Sequence, residues 1–234
     1  KGKLTRDKFC FLFQNVLRPV REYMTAIVVC NGSICDYSYY KKYFEDAKFV
    51  VCADGGASHL KKFGIKPDIL LGDFDSINQE DLDYYKALNV EVLKYGFDKD
   101  FTDTEIAVDI VIERGFDNIV IIGGTGTRLD HSLANIFLLK KIMDKGIKGR
   151  IVNEQNEIFI ASGNIRLERE EGFKITLLPL TQKVTGITTK GLLYPLKDDC
   201  LVMGEGRGVS NEFADSYAEV STKSGILMVI KSKD

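Results

Sequence analysis

The chain has 234 residues, 34 acidic against 32 basic side chains, a net charge of −2, no Trp and only two His, His59 and His131. That balance gives no global basic field for nucleic acid and leaves too few imidazoles for a His-based metal centre. No apolar run approaches the ~20 residues of a membrane span.

Residues 1–24 are set off from the rest as an N-terminal extension. Lys1, Lys3, Arg6, Lys8, Arg18 and Arg21 outnumber Asp7 and Glu22, and Phe9, Leu12, Phe13, Val16, Leu17 and Val20 recur at helical spacing as far as Pro19. The pattern reads as an amphipathic helix packed on the body or on a second subunit, in preference to a targeting peptide.

From residue 25 to 154 the chain reads as alternating strands and helices, an α/β domain with a mostly parallel sheet. Strand signals fall at 26–30, 49–53, 69–71, 90–93, 118–122 and 149–153; helices fall between them, a Tyr-rich one ending near 44, then 57–63, 80–87, one with Ile106, Ala107, Ile110 and Val111 on its apolar face, and 132–145. Cys30 and Cys52 sit inside apolar strand runs, and none of the five cysteines forms a C-x-x-C pair, so they read as reduced thiols of a cytoplasmic protein.

Polar residues gather where these strands end. Asp54-Gly55-Gly56 follows the second strand, and Gly72-Asp73-Phe74-Asp75-Ser76 follows the third. In an open α/β sheet ligands bind just past the carboxyl ends of strands. With extended backbone, Asp73 and Asp75 would share one face with Cα atoms about 6.6 Å apart. Their repulsion is relieved by a proton or a hard cation, Mg²⁺ above all. A second acidic cluster, Asp98, Asp100 and Asp103, surrounds a capping-box pattern, Thr102 and Glu105, that puts Asp103 in the first turn of a helix. Lys99 is a candidate phosphate contact. Neither acidic stretch carries the turn glycine of a calcium-binding loop.

The fifth strand ends in Gly123-Gly124-Thr125-Gly126-Thr127-Arg128-Leu129-Asp130-His131. This is no Walker loop, but a glycine-rich turn before a helix exposes amides to anions, and Arg128 adds a fork of donors. Asp130 is a helix cap or a substrate ligand; His131 is a positioning donor or a general base.

Beyond residue 154 helical periodicity disappears. Strand-like runs at 157–161, 174–178, 201–203, 217–221 and 226–230 predict a small antiparallel β-sandwich as a second domain, 155–234. Gly191-Leu192-Leu193-Tyr194-Pro195-Leu196 and the loop from Gly204 to Glu212 look more specific than strand filler.

Taken together, Ala53-Asp54-Gly55-Gly56, Gly72-Asp73-Phe74-Asp75-Ser76, Asp100-Phe101-Thr102-Asp103-Thr104-Glu105, Arg128-Leu129-Asp130-His131 and Ser210-Asn211-Glu212-Phe213 appear in that order over roughly residues 26–230. This resembles the thiamin pyrophosphokinase family. The resemblance implies an α/β domain followed by a β-sandwich, transfer of the terminal diphosphate of ATP to the hydroxyethyl oxygen of thiamin with release of AMP, and a homodimer whose active site is shared between subunits. It implies Mg²⁺ on Asp73, Asp75 and Asp103, these three and Arg128 acting in catalysis, and the nucleotide on Asp54, Gly55, Asp100, Thr102 and Arg128. Asp130, His131, Ser210 and Asn211 would meet thiamin, the last two from across the dimer. Thr127 stands where many relatives have Gly, and Tyr194 where Trp is common. The readings weighed against this are an aspartyl-nucleophile phosphatase built on Asp73, a related pyrophosphokinase acting on a hydroxymethylpterin, and a non-catalytic nucleotide-sensing module.

Overall fold

The computed structural model describes residues 23–96 and 100–234. The expected N-terminal helix, up to residue 22, together with Asp98 and Lys99, lies outside the described residues.

The α/β part runs β1 (Thr25–Val29), α1 (Tyr37–Glu45), β2 (Ala47–Ala53), α2 (Gly56–Phe63), β3 (Ile69–Gly72), α3 (Gln79–Ala87), β4 (Glu91–Lys94), α4 (Asp103–Glu113), β5 (Asn118–Ile122), α5 (Leu129–Asp144) and β6 (Lys148–Val152). These six strands are parallel, in the order β4-β3-β2-β1-β5-β6. Both faces are covered, which is why the strands read as continuous apolar runs. Ala26 and Val28 face a core completed by Ala107, Val108 and Val111 of α4 and Leu139 and Ile142 of α5. Ile27 and Val29 face the opposite core, with Tyr40 of α1, Leu60 of α2 and Leu82 and Tyr85 of α3. Successive connections run outward from β1 to β4, and the chain then returns to place β5 on the other side of β1. The crevice above β1 and β5 is therefore the topological switch point.

The β-rich part comprises β7 (Asn156–Ala161), β8 (Asn164–Glu168), β9 (Lys174–Pro179), β10 (Lys183–Lys190), β11 (Asp199–Val202), β12 (Tyr217–Ser221) and β13 (Leu227–Ser232). Its strands form the expected antiparallel β-sandwich, one layer of which also continues the α/β sheet. β7 turns back antiparallel on β6, and β13 and β9 follow, so the α/β sheet continues to nine strands. An Asn153 turn makes this possible: its Oδ1 accepts from the amides of Gln155 and Asn156 at 2.9 and 2.7 Å. A second sheet, β11-β10-β12-β8, folds over these added strands. Ile175, Leu177, Leu227 and Val229 meet Val184, Ile187, Ala218 and Val220 between the two layers. The architecture is α/β plus β, as expected, with strands β8 and β10 added. The polar KVTGITTK run of β10 hides its strand character because a bulge at Gly186 (φ +65°) interrupts the alternation.

Candidate active site

A cavity of about 530 Å³ opens above the carboxyl ends of β1, β2, β3 and β5. Two loops meet at its floor. The amides of Gly32 and Ser33 donate to the carbonyls of Gly123 and Thr125 at 2.8 and 2.9 Å, which joins the β1–α1 turn to the glycine-rich loop. The approach is so close that a Cβ at Gly32 would stand 2.2 Å from the Thr125 oxygen. From below, Asn135 Nδ2 donates to the Gly124 carbonyl at 2.8 Å, and Ser132 Oγ accepts from the Gly126 amide at 3.1 Å.

Three carboxylates converge at the rim. Oxygens of Asp54, Asp73 and Asp103 all lie within 4.8 Å of one another. The backbone is bent to achieve this. Asp54 has φ +44°, a left-handed conformation rare outside glycine, and Gly72 beside it has φ +148°. Any Cβ at Gly72 would lie 2.9 Å from that of Asp54. Asp103 is brought in by helix α4. Thr102 caps that helix, accepting from the Glu105 amide at 3.2 Å, as its spacing predicts. Glu105 does not complete the box; it pairs with Lys141 of α5 at 3.0 Å. Thr104 fixes the same turn against β1 through a 3.3 Å contact with the Cys30 thiol. Burial, the main cause, pushes that thiol up to about 12, so it stays protonated.

Asp54 carries the strain of the cluster. Only 8% of it is exposed, and its Oδ1 is buried with no hydrogen-bond partner. Burial first, then the charges of Asp103 and Asp73, raise its carboxyl above the ordinary value, against the lowering effect of Ser76 and the Gly55 amide. A buried carboxyl group with one unpartnered oxygen, grouped with two further carboxylates, is a donor set that suits a hard divalent cation.

The cluster differs from the expected trio by one member. The chain does not stay extended through Asp73-Phe74-Asp75: Phe74 has φ +67°, and the Asp75 amide folds back onto Asp73 Oδ1 at 3.1 Å. The two side chains therefore do not share a face. Asp75 still lines the cavity, but it is exposed, accepts from the Ser76 hydroxyl, and lies outside the three-carboxylate group.

Thr102, Thr127, Arg128 and His131 also line the cavity. Arg128 is held by its neighbour, since its guanidinium donates to Asp130 at 2.6 and 3.2 Å. That pairing draws the Asp130 carboxyl down to about 2. Gly55 does not line the cavity but packs directly behind one lining residue, since a Cβ there would stand 2.3 Å from the Asn31 side chain. Asp100 is exposed and is not part of the lining.

Ser210 and Asn211 are not brought to the cavity. They lie beside β9, where Asn211 exchanges backbone hydrogen bonds of 2.8 Å with Ile175. The Asn211 amide is spent on its own loops: Oδ1 accepts from the Tyr194 and Glu212 amides, and Nδ2 donates to the Tyr194 carbonyl at 2.7 Å. At ~4.8 Å per strand, the six spacings from β2, which ends at Asp54, to β9 separate these residues from the carboxylates by about 29 Å.

Four polar side chains of the cavity carried no expectation: Asn31, Ser33, Ser132 and Asn135. Ser132 and Asn135 are polar residues three apart on the buried side of α5, and that spacing was their available signal.

The chain matches two family models, "Thiamin pyrophosphokinase, catalytic domain" over residues 40–151 and "Thiamin pyrophosphokinase, vitamin B1 binding domain" over residues 163–227. It is 33% identical to thiamine pyrophosphokinase of Bacillus subtilis over 82% of this chain and 91% of that protein. The crystal structure of the Bacillus subtilis enzyme superposes with a TM-score of 0.81 at 32% identity, covering 90% of this chain and 99% of that one. That of thiamin pyrophosphokinase from Geobacillus thermodenitrificans gives 0.79 at 30% identity, covering 90% and 98%.

Proposed function

This chain belongs to the thiamin pyrophosphokinase family and is an enzyme that forms thiamin diphosphate, and from that premise we propose that its donor is ATP, bound with Mg²⁺ in the switch-point cavity. The phosphatase, pterin and sensor readings fall with that membership. One observation carries the proposal: the convergence of Asp54, Asp73 and Asp103, the first of them buried with one oxygen that lacks a partner. Those three residues would hold the metal, with Asp75 at the entrance. Bound there, Mg²⁺ would offset the charge of the phosphate chain, which the acidic rim alone would repel.

The remaining work falls to the chain itself. The glycine-rich loop and the N-termini of α4 and α5 offer amides and positive dipole ends to phosphate oxygens. Thr102 and Thr127 add hydroxyls, and Arg128, on leaving Asp130, supplies a planar fork. The thiamin hydroxyl then forms a bond to the β-phosphorus, the bridging oxygen departs with AMP, and the hydroxyl proton passes to solvent. Catalysis is positioning and electrostatics, with no protein nucleophile.

The acceptor side requires a second copy of the chain. Asp130 and His131 stand near the reacting end, while Ser210 and Asn211 are too far away within one subunit to join them. A homodimer that sets the 191–196 and 210–213 loops of one copy over the cavity of the other resolves this. Exposed apolar surface supports it: Leu129, Leu133 and Phe137 form a stripe on α5, 68%, 43% and 58% exposed, and Leu193, Tyr194 and Val209 project from the loops. Asn211 would then act by holding the Tyr194 loop in shape, and Ser210 by its hydroxyl. Among the described residues no helix is long and apolar enough to cross a membrane, and we assign the enzyme to the cytoplasm on the four unpaired cysteines among those residues.

Incubation with ATP, Mg²⁺ and thiamin tests the reading. Equimolar AMP and thiamin diphosphate are expected; ADP with thiamin monophosphate would refute attack at the β-phosphorus.

A further inference from the structure

We propose that His59 is a positioning residue for nucleotide binding: acting through Gly32, it fixes the 31–33 turn against the glycine-rich loop. The inference rests on the reading of the cavity as the nucleotide site. His59 is on α2 and does not line the cavity. Its Nε2 lies 2.8 Å from the Gly32 carbonyl oxygen. A carbonyl can only accept, so Nε2 carries the proton. The other nitrogen, Nδ1, lies 2.8 Å from the Tyr37 hydroxyl and in the neutral ring accepts from it. A directed chain results, Tyr37 Oη–H to His59 Nδ1, then His59 Nε2–H to the Gly32 oxygen.

Gly32 is thus gripped from two sides. Its carbonyl is held by His59, and its amide donates to Gly123 at 2.8 Å. Only a glycine fits between, since any Cβ would strike the Thr125 and Gly123 oxygens at 2.2 and 2.3 Å. Tyr37 is itself braced, edge-on to Phe63 with ring centroids 4.9 Å apart. Burial keeps the imidazole below its ordinary range, in the neutral form that this one-donor, one-acceptor chain requires. The arrangement makes α1, α2 and both ligand loops a single hydrogen-bonded unit. Losing the His59 donor leaves the Gly32 carbonyl unpaired and frees the turn to leave the loop.

The test compares wild type with His59→Leu, His59→Gln and Tyr37→Phe in the full chain. Gln keeps an N–H donor at about the reach of Nε2; Leu does not. Steady-state KM is measured for ATP and thiamin, and amide hydrogen exchange is followed at Gly32 and Ser33. In His59→Leu the ATP KM rises about tenfold, the upper scale of one hydrogen bond lost at a part-buried carbonyl. Thiamin KM and kcat stay within about twofold, and Gly32 and Ser33 exchange faster while the β1 amides do not change. Gln restores both readouts, and Tyr37→Phe falls between. Leu and Gln variants that behave alike, or a loss confined to kcat, would overturn the inference. If the Leu variant does not fold, Tyr37→Phe decides, and unmoved ATP KM and exchange there count against it. Wild-type protein that binds no ATP overturns the nucleotide reading itself; wild-type binding with an unmoved His59→Leu overturns this inference alone.

Discussion

Replacing Asp54 by Asn should make the metal-free protein more stable and the metal-loaded protein less so. At 4.8 Å and an effective dielectric of ~20, each like-charge pair costs about 3.5 kcal/mol before screening. Asp54 belongs to two of the three pairs in the cluster. Asp73 and Asp103 are half-exposed, so water and salt reduce that figure. A gain of about 1–2 kcal/mol remains, comparable to relieving one buried unpaired polar group. For a chain of this size that raises Tm by about 3–6 °C in EDTA. The sign with pH follows from the raised carboxyl of Asp54. The wild-type penalty is absent below the ordinary carboxyl value of 3.8. It grows as pH rises through the folded-state value and then levels off, so the advantage of Asn appears on going from acid to neutral pH. Thermal melts in EDTA and in millimolar Mg²⁺, at acid and neutral pH, measure both effects. Wild type should gain stability from Mg²⁺ by mass action, and Asp54→Asn should gain little. A variant that melts no higher than wild type in EDTA and responds equally to Mg²⁺ would refute the reasoning.

Asp73→Asn should lower AMP formation at least ~100-fold with the melting curve preserved, as expected when a charge-stabilising group at the reacting centre is lost; near-normal turnover argues against its assignment. Gly32→Ala should cost about 1–3 kcal/mol, because the new methyl meets two backbone carbonyls that cannot move aside, and chemical denaturation reads that loss directly. Phe137→Glu should shift sedimentation from dimer to monomer and raise thiamin KM; an unchanged dimer removes α5 from the interface. Asn211→Ala should raise thiamin KM several-fold while leaving ATP KM alone, since it releases the Tyr194 loop and touches nothing near the carboxylates.

Much of this was legible in the chain because it rests on local pattern. Apolar runs such as Ile119 to Ile122 declare a strand buried on both faces, and Thr102 declares the helix that carries Asp103. The convergence of the acidic stretches on one rim follows from where parallel strands end. What was not legible depends on dihedrals and on pairing. Nothing in Asp73-Phe74-Asp75 announces a left-handed Phe74, so pattern alone groups Asp75 with Asp73, whereas the carboxylates that lie within 4.8 Å of one another are Asp54, Asp73 and Asp103. The Asn153 turn looks like any polar loop, yet it carries the α/β sheet on into one layer of the β-sandwich. Ser132, Asn135 and His59 act by holding backbone, a role that residue type alone does not advertise.

The most direct measurement is anomalous diffraction from a crystal soaked with Mn²⁺. A single strong peak bounded by Asp54, Asp73 and Asp103 is the expected result. Manganese bound elsewhere, with that space between the three carboxylates left to water, would contradict the account.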